Sequence, residues 1–232
     1  MKTDKFAIPF AIVIAGVIIA GALYFSNVKL ANEANKNSAP VATAPTSQNV
    51  RPIDSTDHIL GNPNAQLILV EYSDTECPYC KVFQGTLKQM MTDYGASGKV
   101  AWVYRYFPID SLHPKSRKEA ESAECVSQLG GPTKFWDYLN MIYTNTPSNN
   151  GLDPAQLPVF AKAVGVDVDA FNACVASGKN AAIVEADYQD AVKAGGQGTP
   201  FSVLISKDGA ETPVDGAEPY SQLKTTIDSL LK

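Results

Sequence analysis

The chain has 232 residues, 45% of them hydrophobic, with 19 Lys and Arg against 24 Asp and Glu and a formal net charge of −5. That length holds one or two domains. The acidic balance, with no basic run or Lys/Arg stripe to neutralise phosphates, argues against a nucleic-acid partner.

Lys2 and Lys5 open a short N-terminus, residues 1–5, that the positive-inside rule keeps in the cytoplasm. Residues 6–25, "FAIPFAIVIAGVIIAGALYF", then carry no charge. As a helix they would cover about 30 Å, the thickness of a bilayer's hydrocarbon core. A cleaved signal peptide is the alternative. Signal cores run to about 7–15 residues and end in an A-x-A-like site. This run is longer, and "SNVKLANEANK" behind it offers no good site. The expectation is an uncleaved transmembrane anchor with the rest of the chain outside the cytoplasm. Residues 26–50, rich in Ala, Asn, Ser, Thr and Pro, have no apolar periodicity and read as a flexible tether. The folded domain is expected over residues 51–232.

Within that domain, "AQLILVEYS" holds the unbroken apolar run 67–70, which suits a strand buried on both faces. After Cys80, Phe83, Leu87, Met90, Met91 and Tyr94 recur at helical spacing until Gly95. "KVAWVYRYF", residues 99–107, is aromatic and β-branched and reads as a second strand ended by Pro108. Strand, helix and strand in this order make a right-handed βαβ unit with parallel strands. Helical patterns fill residues 114–194, with a double-glycine stop at Gly130 and Gly131 and an apolar face of Phe135, Trp136, Leu139, Ile142 and Tyr143. "FSVLIS" returns to sheet, Asp208-Gly209 signals a hairpin, and Pro213 places the return strand at an edge. Tyr220, Leu223, Ile227, Leu230 and Leu231 form a last amphipathic helix, with Pro219 at its first position. The summed order is α/β: a thioredoxin-type sheet interrupted by a helical subdomain.

Cys77-Pro78-Tyr79-Cys80 stands where the first strand gives way to the first helix. Three readings compete for it. A structural zinc site needs four ligands, and no second C-x-x-C exists; Cys125, Cys174, His58 and His113 are scattered singly. A local staple would close too small a loop to stabilise much. A redox centre fits the position. Unpaired N–H groups and the positive end of the helix dipole converge on the helix start, so a Cys77 thiolate is stabilised there and its proton affinity falls. Pro78 suits the first turn, where its missing N–H is no loss. Cys80, one turn further in, is the less exposed, resolving thiol. Far downstream, Thr199-Pro200 precedes a strand. Alone it is only a loop. Beside the cysteines it reads as a cis bond that leaves backbone groups of Thr199 to pair with an extended substrate.

From about residue 57 onward the chain resembles the DsbA family of thioredoxin-fold thiol–disulfide oxidoreductases. The resemblance rests on Cys77-Pro78-Tyr79-Cys80, on Gly198-Thr199-Pro200, on Thr133-Lys134-Phe135-Trp136 and on the ending "GAEPYSQLKTTI". It implies a nucleophilic Cys77, a resolving Cys80 and a cis Pro200, with no metal and no organic cofactor. It also implies a bacterial membrane setting, reduced or misoxidised exported proteins as clients, and a membrane quinone-linked thiol oxidase as partner. The dipeptide is Pro78-Tyr79, not the Pro-His of strongly oxidising members, and glutaredoxins and isomerase relatives also carry it. Direction stays open between disulfide introduction and isomerase or reductase work. A non-catalytic binding module is the rival from outside the class.

With Cys77 and Cys80 assigned to the redox centre, Cys125 and Cys174 remain as a structural bridge or as two buried free thiols, and the compartment favours the bridge. Glu76 either tunes Cys77 or is an exposed loop carboxylate, the reading preferred here. His113 reads as a surface or hinge histidine, and His58 as ordinary.

Overall fold

The structure is a computed structural model that describes residues 50–232. The expected N-terminus, anchor and tether up to residue 49 lie outside the described residues. Among the described residues, no helix is long and apolar enough to cross a membrane.

Five strands form one sheet in the order β1-β3-β2-β4-β5: β1 (His58–Leu60), β2 (Leu67–Ser73), β3 (Val100–Tyr106), β4 (Phe201–Ser206) and β5 (Glu211–Val214). β2 runs parallel to β3, from Leu67↔Val100 to Ser73↔Tyr106, and antiparallel to β4. The βαβ unit and the edge position of Pro213 follow the sequence pattern. β1 does not: three residues, with no alternation of their own, are made a strand by pairing with Trp102–Tyr104.

Side chains alternate across a strand with period two. Along β2, Leu67 and Leu69 enter a large core with Phe83, Leu87, Trp102, Phe135 and Ile142. Val70 and Tyr72 enter a smaller core on the opposite face with Val103, Phe107, Ala191 and Val203. The same parity sends Glu71 and Ser73, the last odd-numbered positions of β2, toward the larger core, and both are buried.

α1 (Pro78–Met90) packs Phe83, Leu87 and Met90 into that core and continues as a single π-turn over Met91–Gly95. The insertion comprises α2 (Ser116–Asn145), α3 (Gln156–Ala163), α4 (Val168–Ser177) and α5 (Ala181–Lys193). α2 breaks at Gly131, whose φ of 80° is open to glycine at little cost, just before Pro132. α6 (Tyr220–Leu230) closes the larger core with Leu223 and Ile227. Pro219 precedes α6 in extended conformation and is not its first residue. His58 is more than an ordinary residue: buried, it stacks on Phe135 at 3.5 Å between centroids and lies 2.5 Å from Glu124, which joins β1 to α2.

Candidate active site

β2 ends at Ser73, and the next four residues carry the chain to Cys77, which caps α1 in extended conformation (φ −76°, ψ 122°) with Pro78 as the first helical residue. The turn is tight: the Cys77 N–H donates to Asp74 O at 3.1 Å, and the Lys81 N–H donates to Cys77 O at 3.1 Å. No acidic residue occupies the first helical turn, so no carboxylate there opposes a thiolate.

Both cysteines are reduced. Cys77 is 5% exposed and Cys80 fully buried, whereas Tyr79 between them is 68% exposed. The surroundings of Cys77 are polar despite its burial. Its thiol donates to Thr199 O at 3.4 Å. Contact with the Cys80 thiol, then the Thr199 side chain, then the amides of Cys80 and Tyr79 all favour the thiolate; they outweigh burial and bring Cys77 down to about 6. Cys80 goes the other way. Burial, then its contact with Cys77, then the charge of Glu71 push it well above the ordinary thiol range. At neutral pH one sulfur is a thiolate and the other a thiol.

Thr199–Pro200 is cis. Thr199 and Cys77 stand 122 residues apart in sequence and touch. Gly198, Thr199, Pro200, Phe201, Val214 and Asp215 line a cavity of about 340 Å³, so the turn that meets Cys77 also walls open space.

The acidic residues around the motif were not legible. Glu76 is not an exposed loop carboxylate: it is fully buried, and accepts from Gly151 N at 3.2 Å, Leu152 N at 3.1 Å and Thr146 Oγ1 at 3.1 Å. It fastens the redox turn to the 146–152 loop, as does Lys81, which donates to Thr146 O at 2.5 Å. Nor is His113 a surface residue. It is buried, 3.0 Å from Asp74 Oδ2, the oxygen that also accepts from Ile109 N at 2.7 Å. Glu119 accepts from Thr75 Oγ1 at 2.6 Å. Burial, with the neighbouring charges of Glu76 and Asp74 behind it, pushes Glu119 up to about 8, so it is a neutral acid at neutral pH. Beneath the cysteines, burial raises Glu71 to about 7 against the pull of Ser73, Trp102 and Gln84. A charged residue in the inward register of a buried strand was the available signal for Glu71.

Cys125 and Cys174 are joined by a disulfide that ties α2 to α4. Among the described residues, no group of three or more His, Cys, Asp or Glu is arranged to hold a metal.

The family model described as Thioredoxin matches residues 54–229. BdbD from Bacillus subtilis, in its oxidised form, superimposes with a TM-score of 0.68 over 78% of this chain and 96% of its own, at 23% identity. The thiol-disulfide exchange protein alpha-DsbA2 from Wolbachia pipientis gives 0.64 over 76% and 88%, at 26% identity. In sequence, 150 residues (64% of this chain) are 30% identical to part of the Na(+)/H(+) antiporter NhaA 3 of Salinispora tropica. The chain spans about a fifth of the length of the curated relatives it matches.

Proposed function

Because this chain belongs to the thioredoxin family, as a thiol–disulfide oxidoreductase of DsbA-like fold, we propose that it works in the oxidising direction and introduces disulfides into exported proteins. The observation that carries this reading is the Cys77 thiol at about 6 beside a Cys80 thiol raised far above it.

The cycle starts from a Cys77–Cys80 disulfide. A client thiolate attacks the Cys77 sulfur, the outer of the two. The Cys77–Cys80 bond breaks, a client–Cys77 disulfide forms, and the electron pair leaves on Cys80. Cys80 holds a proton tightly and takes one at once; Glu71, the buried acid at about 7 whose charge bears on it, is the group placed to supply it. A second client thiolate then attacks the client sulfur of the mixed disulfide. Cys77 departs as a thiolate that neutral pH does not protonate. A low-affinity leaving thiol departs fast and stabilises the reduced enzyme, which makes the oxidised form a strong oxidant. The client has passed two electrons to the cysteine pair; its two thiol protons go to solvent, which returns one to Glu71 in place of the proton that Cys80 took. Regenerating the disulfide takes an outside oxidant, for which we propose a quinone-linked thiol oxidase in the membrane. The apolar run at residues 6–25 would anchor the chain beside it, with the catalytic domain outside the cytoplasm.

The test is the midpoint of the full-length protein equilibrated against glutathione buffers. The expected value lies above about −180 mV, toward the oxidising end of the thioredoxin-fold range. A midpoint below about −250 mV would reverse the direction and make the protein a reductant. A Cys77→Ser variant as active as the parent on a reduced, unfolded client would remove the enzyme reading and leave a binding module.

A further inference from the structure

Glu71 lies in the inward register of β2 with no water-facing surface, and four hydrogen bonds converge on its carboxyl group. Ser73 Oγ donates to Oε1 at 2.8 Å, Trp102 Nε1 donates to Oε2 at 3.0 Å, and Gln84 Nε2 lies 3.2 Å and 3.3 Å from the two oxygens. Ser73 Oγ also lies 2.9 Å from Tyr143 Oη, which lies 3.1 Å from Tyr104 Oη. All of these residues are buried.

Proton counting gives this chain a direction. An indole N–H and an amide NH₂ only donate; a hydroxyl has one proton and can also accept. With Glu71 ionised, Ser73 gives its only proton to the carboxylate. Tyr143 must then donate to Ser73, and Tyr104 to Tyr143. With Glu71 protonated, Trp102 has nothing to offer the acid's O–H, and Gln84 can accept it only by turning its whole amide over. Ser73 is the partner among these that turns from donor to acceptor by rotating an O–H bond alone, and the tyrosines can turn with it in the same way.

Resting on the exchange reading above, we propose that Ser73 and Tyr143 are positioning residues for the redox reaction: a reversible hydroxyl chain from the helical insertion that lets Glu71 give a proton to Cys80 and take it back. The insertion thereby enters the chemistry, since Tyr143 belongs to α2. The titratable groups bearing on Glu71 are Cys77 and Cys80 from α1, Tyr104 from β3 and Tyr143 from α2; β4 contributes the neutral Ser202, its register partner.

The experiment follows the Glu71 carboxyl by carbon-13 NMR across pH in the reduced full-length protein. Removing a charge-assisted donor raises the proton affinity of an acid. Ser73→Ala is expected to raise it about tenfold, the effect of one hydrogen bond to a charged group. Tyr143→Phe, nearly isosteric, acts one bond further away and should raise it by a smaller factor; Tyr104→Phe should act more weakly still. Ser73→Thr, which keeps the hydroxyl, should restore the parent titration. The pH profile of glutathione release from the Cys77 mixed disulfide should move upward in the same order. An unmoved or lowered Glu71 titration in both Ser73→Ala and Tyr143→Phe overturns the proposal, and Tyr143→Phe decides alone if Ser73→Ala does not fold. Cys80→Ser separates the two ideas. If that variant traps glutathione on Cys77 while Glu71 ignores the hydroxyls, only the chain is wrong; if it traps nothing, the exchange reading fails and the proposal with it.

Discussion

Contact between the Cys77 and Cys80 thiols moves their proton affinities in opposite directions: it is the largest effect lowering Cys77, and it adds to burial in raising Cys80. The asymmetry between attacked and departing sulfur is therefore a property of the pair more than of the helix end alone. Replacing Cys80 by Ala removes that contact, and Cys77 should climb toward the ordinary thiol range. Its iodoacetamide reactivity at pH 6 should fall about fivefold, the drop in thiolate fraction that a roughly tenfold rise in proton affinity gives on loss of one charge-assisted hydrogen bond. An unchanged alkylation profile would assign the low value to the helix amides instead.

The buried acid Glu119 gives a pH signature of stability. Its value rises from 4.5 to about 8 on folding, so folding takes up a proton between those limits. The stabilisation is whole below the unfolded value and is lost as pH rises through about 8. Glu119→Gln is neutral throughout and can still accept from Thr75. Its melting temperature should match the parent at pH 5 and exceed it at pH 9 by about 2–4 °C, the shift roughly 1 kcal/mol gives at this size. Parallel melting curves across pH would contradict the assignment.

Arg105 is the buried cation of the opposite face. It donates to Asp57 Oδ1 at 2.8 Å and Oδ2 at 3.0 Å, to Asp190 Oδ2 at 2.8 Å and to Tyr72 Oη at 3.1 Å. Arg105→Ala would leave Asp57 and Asp190 with the half-buried Arg51 as their shared cation, and should cost up to about 3–5 kcal/mol, the loss expected when a buried pair loses one partner. Lys224→Ala, which breaks the exposed pair with Asp228, should cost far less, because solvent screens that pair. Urea unfolding of both variants makes the comparison, and equal losses would refute the ranking.

The Cys125–Cys174 bridge closes a separation of 49 residues within the insertion. Replacing both cysteines by Ala should lower stability by about 2–4 kcal/mol on the loop-entropy account. The Cys77 alkylation profile should not change. A displaced profile would reveal that the bridge shapes the redox centre as well as the insertion.

The sequence pattern carried the buried strands β2 and β3, the helical insertion and the Cys77 turn, because each is a local run, a local period or a local motif. It did not carry the polar interior. Glu76 and His113 look like loop residues in a linear reading. They are buried because the 146–152 loop and the Ile109–His113 segment fold back over them, and their partners lie about 40 to 76 residues away. Arg105 likewise sits in a strand whose pattern gave no hint that Asp57 and Asp190 would meet it. Glu71 is within reach of the sequence, since its parity with Leu67 and Leu69 points it inward.

The touch between Cys77 and Thr199 makes chemical identity a late event in the life of the chain. A ribosome releases the cysteine turn more than a hundred residues before its neighbour, and a nascent or truncated chain holds the motif without the carbonyl and side chain that complete it. Only the finished molecule owns the fully tuned sulfur, so a fragment ending short of Thr199 would keep the signature and carry a weaker reagent.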